Sequence, residues 1–406
     1  MNSRPVTLQE RRARLGLRHH LVAADEDVAI EQIVDDLVVL HATDPATIYL
    51  SLQARSSAAT VESIDDALFR RRSMARTLAM RRTLFVATVN LLPVVEGSSS
   101  VGVAAVQRAR LEKFLTESGM ADPGRWLSEV FDEVLAALDG EPEGVAARDL
   151  TKLVPELGTK ILMAAGTNHE VKAGATSRVL GLMAIEGLLV RGLPTGGWTS
   201  RTYRWHRRDR WFPVGPEPAA EEAVASGDLL SCWLARFGPA TVADMKWWTG
   251  WTMTKTRQVL ATIDTVEVVL PEDADSTGDG AIGHLLAVDA DPVMTDEPWV
   301  ALLPALDPTA MGWKARDWYL GDHRAELFDR NGNVGPTVWV DGRIVGGWGQ
   351  GPDGEVVVAL LEPVEQHHRV MIDGKADRVS AFVGDTIVKP SFPTPLQRRI
   401  AAGQQI

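Results

Sequence analysis

The residues from Val179 to Arg191, Val-Leu-Gly-Leu-Met-Ala-Ile-Glu-Gly-Leu-Leu-Val-Arg, change from a helical to an extended hydrophobic pattern. Apolar residues recur at the three- and four-residue spacing of one helix face as far as Ala184. Residues 187 to 191 are then mainly apolar and read as a strand. The stretch therefore predicts a helix that is followed at once by a strand.

The sequence on either side extends this pair into a recognisable order. Val145 to Leu153 predicts a short helix before it. After it, a loop rich in Gly and Thr (Pro194 to Ser200) leads to a second strand from Thr202 to Trp205. Short helix, helix, strand, loop and strand is the order of a winged helix-turn-helix. In that module the second helix enters a DNA groove and the wing lies on the DNA backbone.

The same order recurs further along the chain. Helices are predicted for Ala219 to Phe237, from Ala240 onward with Thr241 as the cap, and for Thr254 to Ile263, before a strand from Val266 to Leu270. This region holds little basic charge. We expect it to support the other modules rather than to read DNA.

The N-terminal region also begins with helices. Leu8 to Leu21 and Ile30 to Leu40 have helical periodicity, and Asp44-Pro45 is predicted to break the second helix. Residues 77 to 86 have the β-branched and apolar content of a hairpin.

The C-terminal region changes character and favours short strands. These are Val300 to Leu303, Val338 to Val340, Arg343 to Trp348 and Val356 to Leu361. Turn pairs such as Asp341-Gly342 and Asp353-Gly354 separate them, as in hairpins. A small antiparallel sheet or a barrel is expected.

Composition limits the class of protein. The chain has 406 residues, 45% hydrophobic and 24% charged, which is ordinary for a folded protein of two to four domains. A net charge of -12 argues against nucleic-acid binding over the whole surface but permits a local basic groove. No signal peptide or membrane span is recognised, so we expect a cytoplasmic protein. No Cys or His cluster has metal-ligand spacing and no glycine-rich phosphate loop is found, so neither a metal nor a cofactor is expected.

Two basic segments interrupt the acidic background. The first contains six arginines and no acidic residue: Arg70, Arg71, Arg72, Arg76, Arg81 and Arg82. Contact with DNA phosphates is one interpretation, and a solvated helix end is the other. The second alternates with aromatic residues and contains Arg201, Arg204, Arg207, Arg208 and Arg210. It suits phosphate pairing with base or sugar stacking, or else a surface hairpin whose arginines pair with carboxylates elsewhere.

The best candidate for catalysis lies between Leu37 and Arg55, where His41 and Thr43 are separated by one alanine. His41, with an ordinary pKa near ~6.5, can take a proton from water, or can bond a free carbonyl at a helix end. Thr43 can orient water or contact a sugar or phosphate oxygen. Asp44 either adds a negative charge or serves only to shape the backbone before proline.

The chain resembles the winged-helix DNA glycosylases typified by AlkZ and YcaQ, because these residues and several other short motifs occur in the same order. The motifs are His41-Ala42-Thr43-Asp44-Pro45 with Tyr49 and Arg55, Met80 to Phe85, Gly238 to Thr241, Leu303 to Pro308 and Trp339 to Arg343. The resemblance implies an α+β fold of three tandem winged helix-turn-helix modules followed by a C-terminal antiparallel β-barrel, forming a concave cleft of DNA size. The corresponding domains are residues 1–100, 101–218, 219–275 and 276–406.

The family's catalytic motif is Gln-apolar-Gln or Gln-apolar-Asp, and the matching positions here are His41, Ala42 and Thr43. Histidine is a known variant at the first position, whereas threonine at the second departs from the pattern. The resemblance implies a monofunctional DNA glycosylase that hydrolyses the N-glycosidic bond of bulky N7-alkylated purines and unhooks interstrand crosslinks, a role in DNA repair. We expect a monomer that acts on double-stranded DNA.

The predicted catalytic set is His41, Thr43 and Asp44, and Arg55 joins the arginines of both basic segments as a DNA contact. Two alternatives remain open at this point. The chain could be a winged-helix DNA-binding protein without catalysis, a regulator or a lesion sensor. Its modules could instead bind a protein partner, which the acidic net charge favours.

Overall fold

A computed structural model of the chain describes residues 3–22, 26–163, 170–212, 216–271 and 280–404. The chain divides into two compact units. The larger unit combines residues 1–66 with 226–406, and the smaller unit is 67–225. This division does not test the four predicted domains, because one compact unit can hold several modules. The predicted boundary between residues 275 and 276 lies outside the described residues.

Helices make up much of both units. Among the described residues the α-helices are α1 (Leu8–Arg18), α2 (Ile30–Asp36), α3 (Pro45–Gln53), α4 (Val61–Asp65), α5 (Leu92–Val95), α6 (Val101–Glu117), α7 (Pro123–Asp139), α8 (Ala147–Leu153), α9 (Thr176–Ile185), α10 (Arg208–Trp211), α11 (Glu222–Phe237), α12 (Val242–Thr249), α13 (Met253–Leu260), α14 (Asp317–Leu320), α15 (Arg324–Leu327), α16 (Gln366–Val383) and α17 (Pro395–Ala401). Within the described ranges, no helix is long and apolar enough to cross a membrane.

The strands are mostly short and antiparallel. They are β1 (Arg4–Pro5), β2 (Leu40–His41), β3 (Met74–Leu78), β4 (Leu84–Thr88), β5 (Val145–Ala146), β6 (Lys160–Met163), β7 (Val171–Gly174), β8 (Leu189–Pro194), β9 (Tyr203–Arg207), β10 (Thr265–Leu270), β11 (Ala281–Leu286), β12 (Val300–Leu303), β13 (Thr337–Val340), β14 (Arg343–Gln350) and β15 (Val356–Leu360). The mixed α+β fold expected from the sequence is confirmed.

The C-terminal strands of the larger unit form one antiparallel sheet in the order β12-β13-β14-β15. Asp341 and Gly342, with φ of 45° and 82°, make the turn between β13 and β14, as their sequence predicted. All four predicted strands are confirmed. Because β12 and β15 do not pair with each other in the described chain, the sheet is open, which corrects the prediction of a closed barrel. Helix α16 packs against β12 and β15, and α17 packs against β14.

The second helix of the N-terminal region is shorter than predicted. Helix α2 ends at Asp36, and Val38, with φ of 67°, reverses the chain before β2. Asp44 and Pro45 begin α3 instead of breaking a helix. The physical reason is that proline is favoured at the first helical position. An N–H group there would have no acceptor within the helix, so the helix loses no hydrogen bond when proline lacks it. Every residue of α3 is buried.

The larger unit also contains a three-stranded sheet in the order β1-β10-β11, and helices α12 and α13 precede β10 in the chain. The predicted cap Thr241 is confirmed, because its hydroxyl accepts a hydrogen bond from the backbone N–H of Asp244 at 3.1 Å. Ala240 bridges to His284 in β11. The helices and the strand predicted for this region therefore form.

In the smaller unit, the stretch from Val179 to Arg191 folds as predicted, into most of α9 and the start of β8. Strands β5, β9 and β8 form a sheet in that order, and α7, α8 and α9 pack on it through residues such as Leu127, Val134 and Met183. The predicted hairpin is β3 and β4, paired from Met74 with Thr88. Helix α9 differs from a free recognition helix, because α6 packs across it. Within α9 only Ser177 is fully exposed.

Candidate active site and DNA contacts

The candidate catalytic turn lies between β2 and α3. His41 ends β2 and is half-buried, Ala42 is fully buried, and Thr43 is exposed. The buried alanine fixes the backbone between two polar side chains, and the wholly buried α3 holds the C-terminal side of the turn. The turn can therefore offer an imidazole and a hydroxyl to a substrate in fixed positions.

Asp44 follows directly but is differently placed. It is 6% exposed, and its Oδ2 accepts a hydrogen bond from the backbone N–H of Ser391 at 3.2 Å. With Thr47 and Leu50 it lines a largely apolar cavity of about 530 Å³ whose opposite wall is the C-terminal segment. Its carboxylate thus joins the start of α3 to that segment.

Arg55, which the sequence predicted as a DNA contact, is fully buried. Its Nη1 and Nη2 donate to the two oxygens of Asp307 at 2.8 and 2.7 Å. The other donors reach the carbonyl oxygens of His19 and Ser51 and the hydroxyl of Thr309. All five N–H groups of the guanidinium are used, so none remains for a phosphate. This corrects the prediction that Arg55 contacts DNA.

His19 completes the buried network around Arg55. Its Nδ1 lies 2.8 Å from the Thr309 hydroxyl, and its ring is 4.5 Å from that of Phe237. Burial, and then the charge of Arg55, hold the pKa of His19 well below its ordinary value. The network anchors the C-terminal end of α3, and the N-terminal end of the same helix follows the turn at His41.

The first basic segment is divided between the surface and the interior of the smaller unit. Arg70, Arg71 and Arg82 are exposed, Arg72 and Arg81 are half-buried, and Arg76 is buried. The guanidinium of Arg72 lies 4.1 Å from the centre of the Trp211 ring, and that of Arg76 lies 4.7 Å from Tyr203. The fold thereby brings the two basic segments together.

The second basic segment is partly neutralised. Arg207 contacts Asp139 at 2.7 Å and Asp209 at 2.6 Å, and the hydrogen bond to Asp209 raises its pKa. Arg208 contacts both oxygens of Glu96, at 2.7 and 2.9 Å. For these two arginines the alternative of a hairpin paired with carboxylates describes the structure, and their contact with DNA stays a prediction.

Arg201, Arg204 and Arg210 remain exposed. Arg204 donates to the carbonyl oxygen of Gly144 at 3.0 Å, and Arg210 lies 4.0 Å from Asp139. Arg204 and Arg210 therefore lie at the surface of the smaller unit, with looser contacts to carboxylates than Arg207 and Arg208 have.

Comparison with known proteins decides the family. A family model described as DNA glycosylase AlkZ-like matches residues 34–382. The chain belongs to the AlkZ-like DNA glycosylases. The resemblance inferred from the sequence motifs is confirmed, and the glycosylase is an enzyme, a monofunctional hydrolase of N-glycosyl bonds with DNA as its substrate.

A solved structure agrees with this assignment at the level of the fold. The DNA glycosylase AlkZ of Streptomyces sahachiroi is similar with a TM-score of 0.70 and 20% sequence identity, over 95% of this chain and 98% of that one. No match was found among curated proteins. The matched range of the family model contains the turn at His41 and both basic segments.

The glycosylase also contains a basic cleft that the sequence did not reveal. Its volume is about 290 Å³, and Arg110, Arg178 and Arg191 contribute to its lining. These arginines belong to α6, α9 and β8, and they lie far apart from one another in the sequence. No local pattern could have joined them, because packing alone brings the three elements together.

Among the described residues, one group of side chains could hold a divalent metal ion. Ligand atoms of Glu365, His367 and His368 lie within 4.8 Å of one another at the start of α16. Nε2 of His368 is also 2.9 Å from Asp341 in the turn between β13 and β14. Histidine and carboxylate ligands of this kind suit zinc. The spacing was not recognised in the sequence, because adjacent helical residues usually point in different directions.

Proposed function

We propose that this glycosylase removes bulky N7-alkylated purines from double-stranded DNA, and that His41 and Thr43 act at the reacting centre. Unhooking of interstrand crosslinks is an extension of the same reaction. The observation that carries the proposal is the position of these two side chains. They flank a buried alanine at the start of a buried helix, within the range matched by the glycosylase family model.

Hydrolysis of this N-glycosidic bond requires few catalytic groups from the protein. A purine alkylated at N7 is already cationic, so it leaves without a strong acid. The enzyme must place a water molecule and stabilise an oxocarbenium-like sugar. His41 can accept the proton of that water, and Thr43 can orient the water or contact a sugar oxygen.

Asp44 takes a positioning role in this proposal. Its carboxylate is nearly buried and accepts a hydrogen bond from Ser391, so it is engaged in holding the turn. It would contribute a negative charge near the cationic sugar without touching the substrate.

DNA binding is assigned to the exposed arginines of the smaller unit, among them Arg82, Arg204 and Arg210. We assign β5, α8, α9, β8 and β9 to one winged helix, whose wing is the loop between the last two strands. Helices α11, α12 and α13 with β10 and β11 would form another. Their element order supports this assignment.

The test uses duplex DNA that carries one N7-alkylguanine, with either a methyl or a bulky aromatic substituent. Wild-type protein should convert the bulky lesion into abasic sites, detected as strand breaks after alkali treatment. His41→Ala should lower the rate by roughly 10²- to 10⁴-fold, the usual contribution of a general base. His323→Ala, which removes a half-buried histidine that contacts Glu362 far from the turn in sequence, is the matched control.

Two results would contradict the proposal in different ways. Equal rates for wild type and His41→Ala, both above the uncatalysed rate, would remove His41 from the site. Abasic sites formed only at the uncatalysed rate, together with salt-sensitive DNA binding, would favour a DNA-binding protein without catalysis. The altered third position of the motif, Thr43, is the reason for including this outcome.

A further inference from the structure

The basic cleft of the smaller unit lies where α6, α9 and β8 meet. Its polar lining consists of Gln107, Arg110, Ser177, Arg178 and Arg191, and no aspartate or glutamate contributes to it. Every one of these side chains can donate a hydrogen bond, and three carry a positive charge. The chemistry of the lining is therefore that of a receptor for an anion.

Two of the arginines contact the same aromatic ring. The guanidinium groups of Arg110 and Arg178 each lie 5.4 Å from the centre of the Phe114 ring. Burial, and then the charge of Arg110, lower the pKa of Arg178. The two like charges repel each other, and an anion bound near both would offset that repulsion.

The third arginine approaches from the sheet. Arg191 on β8 lies 4.7 Å from the centre of the Trp205 ring. Burial first, with the charge of Arg76 as a further cause, lowers its pKa to about 10. The stacking fixes the direction of the guanidinium, so it is preorganised for a planar contact with two oxygens.

These arginines differ from their neighbours in having no carboxylate. Among the residues that the structure describes, none of Arg110, Arg178 and Arg191 makes an ion pair. By contrast, Arg108 of the same helix α6 contacts Glu186 at 2.7 Å. In a chain with a net charge of -12, three clustered arginines without a carboxylate partner are unexpected for a purely structural role.

Neutral donors complete the cleft. Nε2 of Gln107 is buried and has no hydrogen-bond acceptor among the described residues, a state that costs free energy unless a ligand satisfies it. Ser177 lies in the first turn of α9, whose N-terminus has no side-chain cap. The positive end of the helix dipole favours an anion at this position.

We infer that this cleft binds a phosphate of the DNA backbone, a site that rests on the proposed action on double-stranded DNA. A phosphodiester fits because it offers only acceptors, and every polar side chain of the cleft can donate. Arg110 and Ser177 are exposed whereas Arg178 and Arg191 are half-buried, so the donors extend from the surface inward and can reach a phosphate that belongs to a continuous strand. Helix α9, otherwise covered, would then contact the backbone and not the bases.

The experiment measures binding to an undamaged duplex at several salt concentrations, so it does not depend on base excision. Arg178→Gln and Arg110→Gln should each make the slope of log K against log salt shallower by about 0.9, the value for one lost phosphate contact. Arg125→Gln removes the same charge from α7 of the same unit, where the arginine is exposed and pairs with Glu129, and should leave the slope unchanged.

Arg178→Lys is included because loss of the guanidinium could disturb packing. It should keep the slope, since the charge remains, but weaken binding, since the planar fork is lost. Thermal unfolding of every variant verifies that it is folded. A wild-type protein that fails to excise any lesion, with a shallower slope for Arg178→Gln, would leave the phosphate site standing and would overturn only the glycosylase reaction.

Two outcomes would overturn the inference itself. One is a folded Arg178→Gln variant whose slope equals that of Arg125→Gln. The other is found by titrating inorganic phosphate: if Arg178→Gln abolishes phosphate binding but leaves the slope for DNA unchanged, the cleft serves a free anion and not the DNA backbone.

Discussion

At the residue scale, Arg55 shows that burial can give a charged side chain a structural role in place of a DNA-binding one. Its ion pair with Asp307 has no exposure on either side, and further bonds reach Ser51, His19 and Thr309. Such a pair adds little compared with well-packed apolar residues, but removing one partner leaves an uncompensated charge. The arginine therefore acts on the site only through the stability of α3.

We expect Arg55→Met to lower the free energy of unfolding by about 3 to 5 kcal/mol, because the Asp307 carboxylate would remain buried without its partner. Equilibrium urea denaturation measures the change. Arg399→Met, which breaks the half-exposed pair with Glu326 in the same unit, should have a much smaller effect. If the two variants lose similar stability, the buried pair does not anchor α3 as described.

At the scale of secondary-structure elements, the hairpin of β8 and β9 is built around His206. The ring is 8% exposed, and a Cβ at either Gly144 or Gly192 would collide with it. Gly144 also has a φ of 68°, which other residues rarely adopt. Burial, followed by the charges of Arg72 and Arg204, lowers the pKa of His206 from 6.5 to about 4. The hairpin is thus adapted to a neutral histidine.

This predicts a dependence of stability on pH. The folded pKa lies below the unfolded one, so the stabilisation is complete above pH ~6.5 and is lost as the pH falls towards 4. Between pH 7 and pH 5 the loss should be at most about 2 kcal/mol, because solvent screens part of the effect. Thermal unfolding of wild type against His206→Gln measures it: the variant should show a shallower decline, whereas His367→Gln, an exposed histidine, should follow wild type. Parallel declines for all three would exclude His206 as the cause.

Much of the element pattern could be predicted. Periodicity identified α9 and β8, turn pairs identified the C-terminal strands, and Thr241 was recognised as a cap. The error at Asp44-Pro45 arose because the same pair of residues suits both the end and the beginning of a helix. Which one forms depends on the burial of α3, and its anchors, such as Ala305 for Thr47, lie far along the chain.

At the scale of the whole molecule, DNA binding by an acidic protein depends on where its few exposed arginines lie. Arg82 and Arg204 are exposed on the smaller unit, whereas Arg207 and Arg208 contact carboxylates. A guanidinium that is already paired with a carboxylate neutralises a DNA phosphate less completely, so fewer counterions leave the DNA when it binds. The two sets should therefore differ in the salt dependence of binding.

We expect the double variant Arg82→Gln and Arg204→Gln to reduce the salt slope by about 1.8, or about 0.9 for each contact. The double variant Arg207→Gln and Arg208→Gln removes the same charge and should change the slope much less, provided that it remains folded. Fluorescence anisotropy with a labelled duplex gives both values. A larger effect for the paired arginines would mean that their ion pairs open when DNA binds.

The sequence by itself determined the family, most of the helices and strands, and the candidate turn at His41. These three inferences depend on the spacing of residues that are close together in the sequence. Only the tertiary structure decided which arginines are available, and it joined Arg110, Arg178 and Arg191 into one cleft. The physical reason is that burial and charge pairing depend on contacts between distant positions. Arg55 and Asp307 lie 252 residues apart, and no local pattern encodes their meeting.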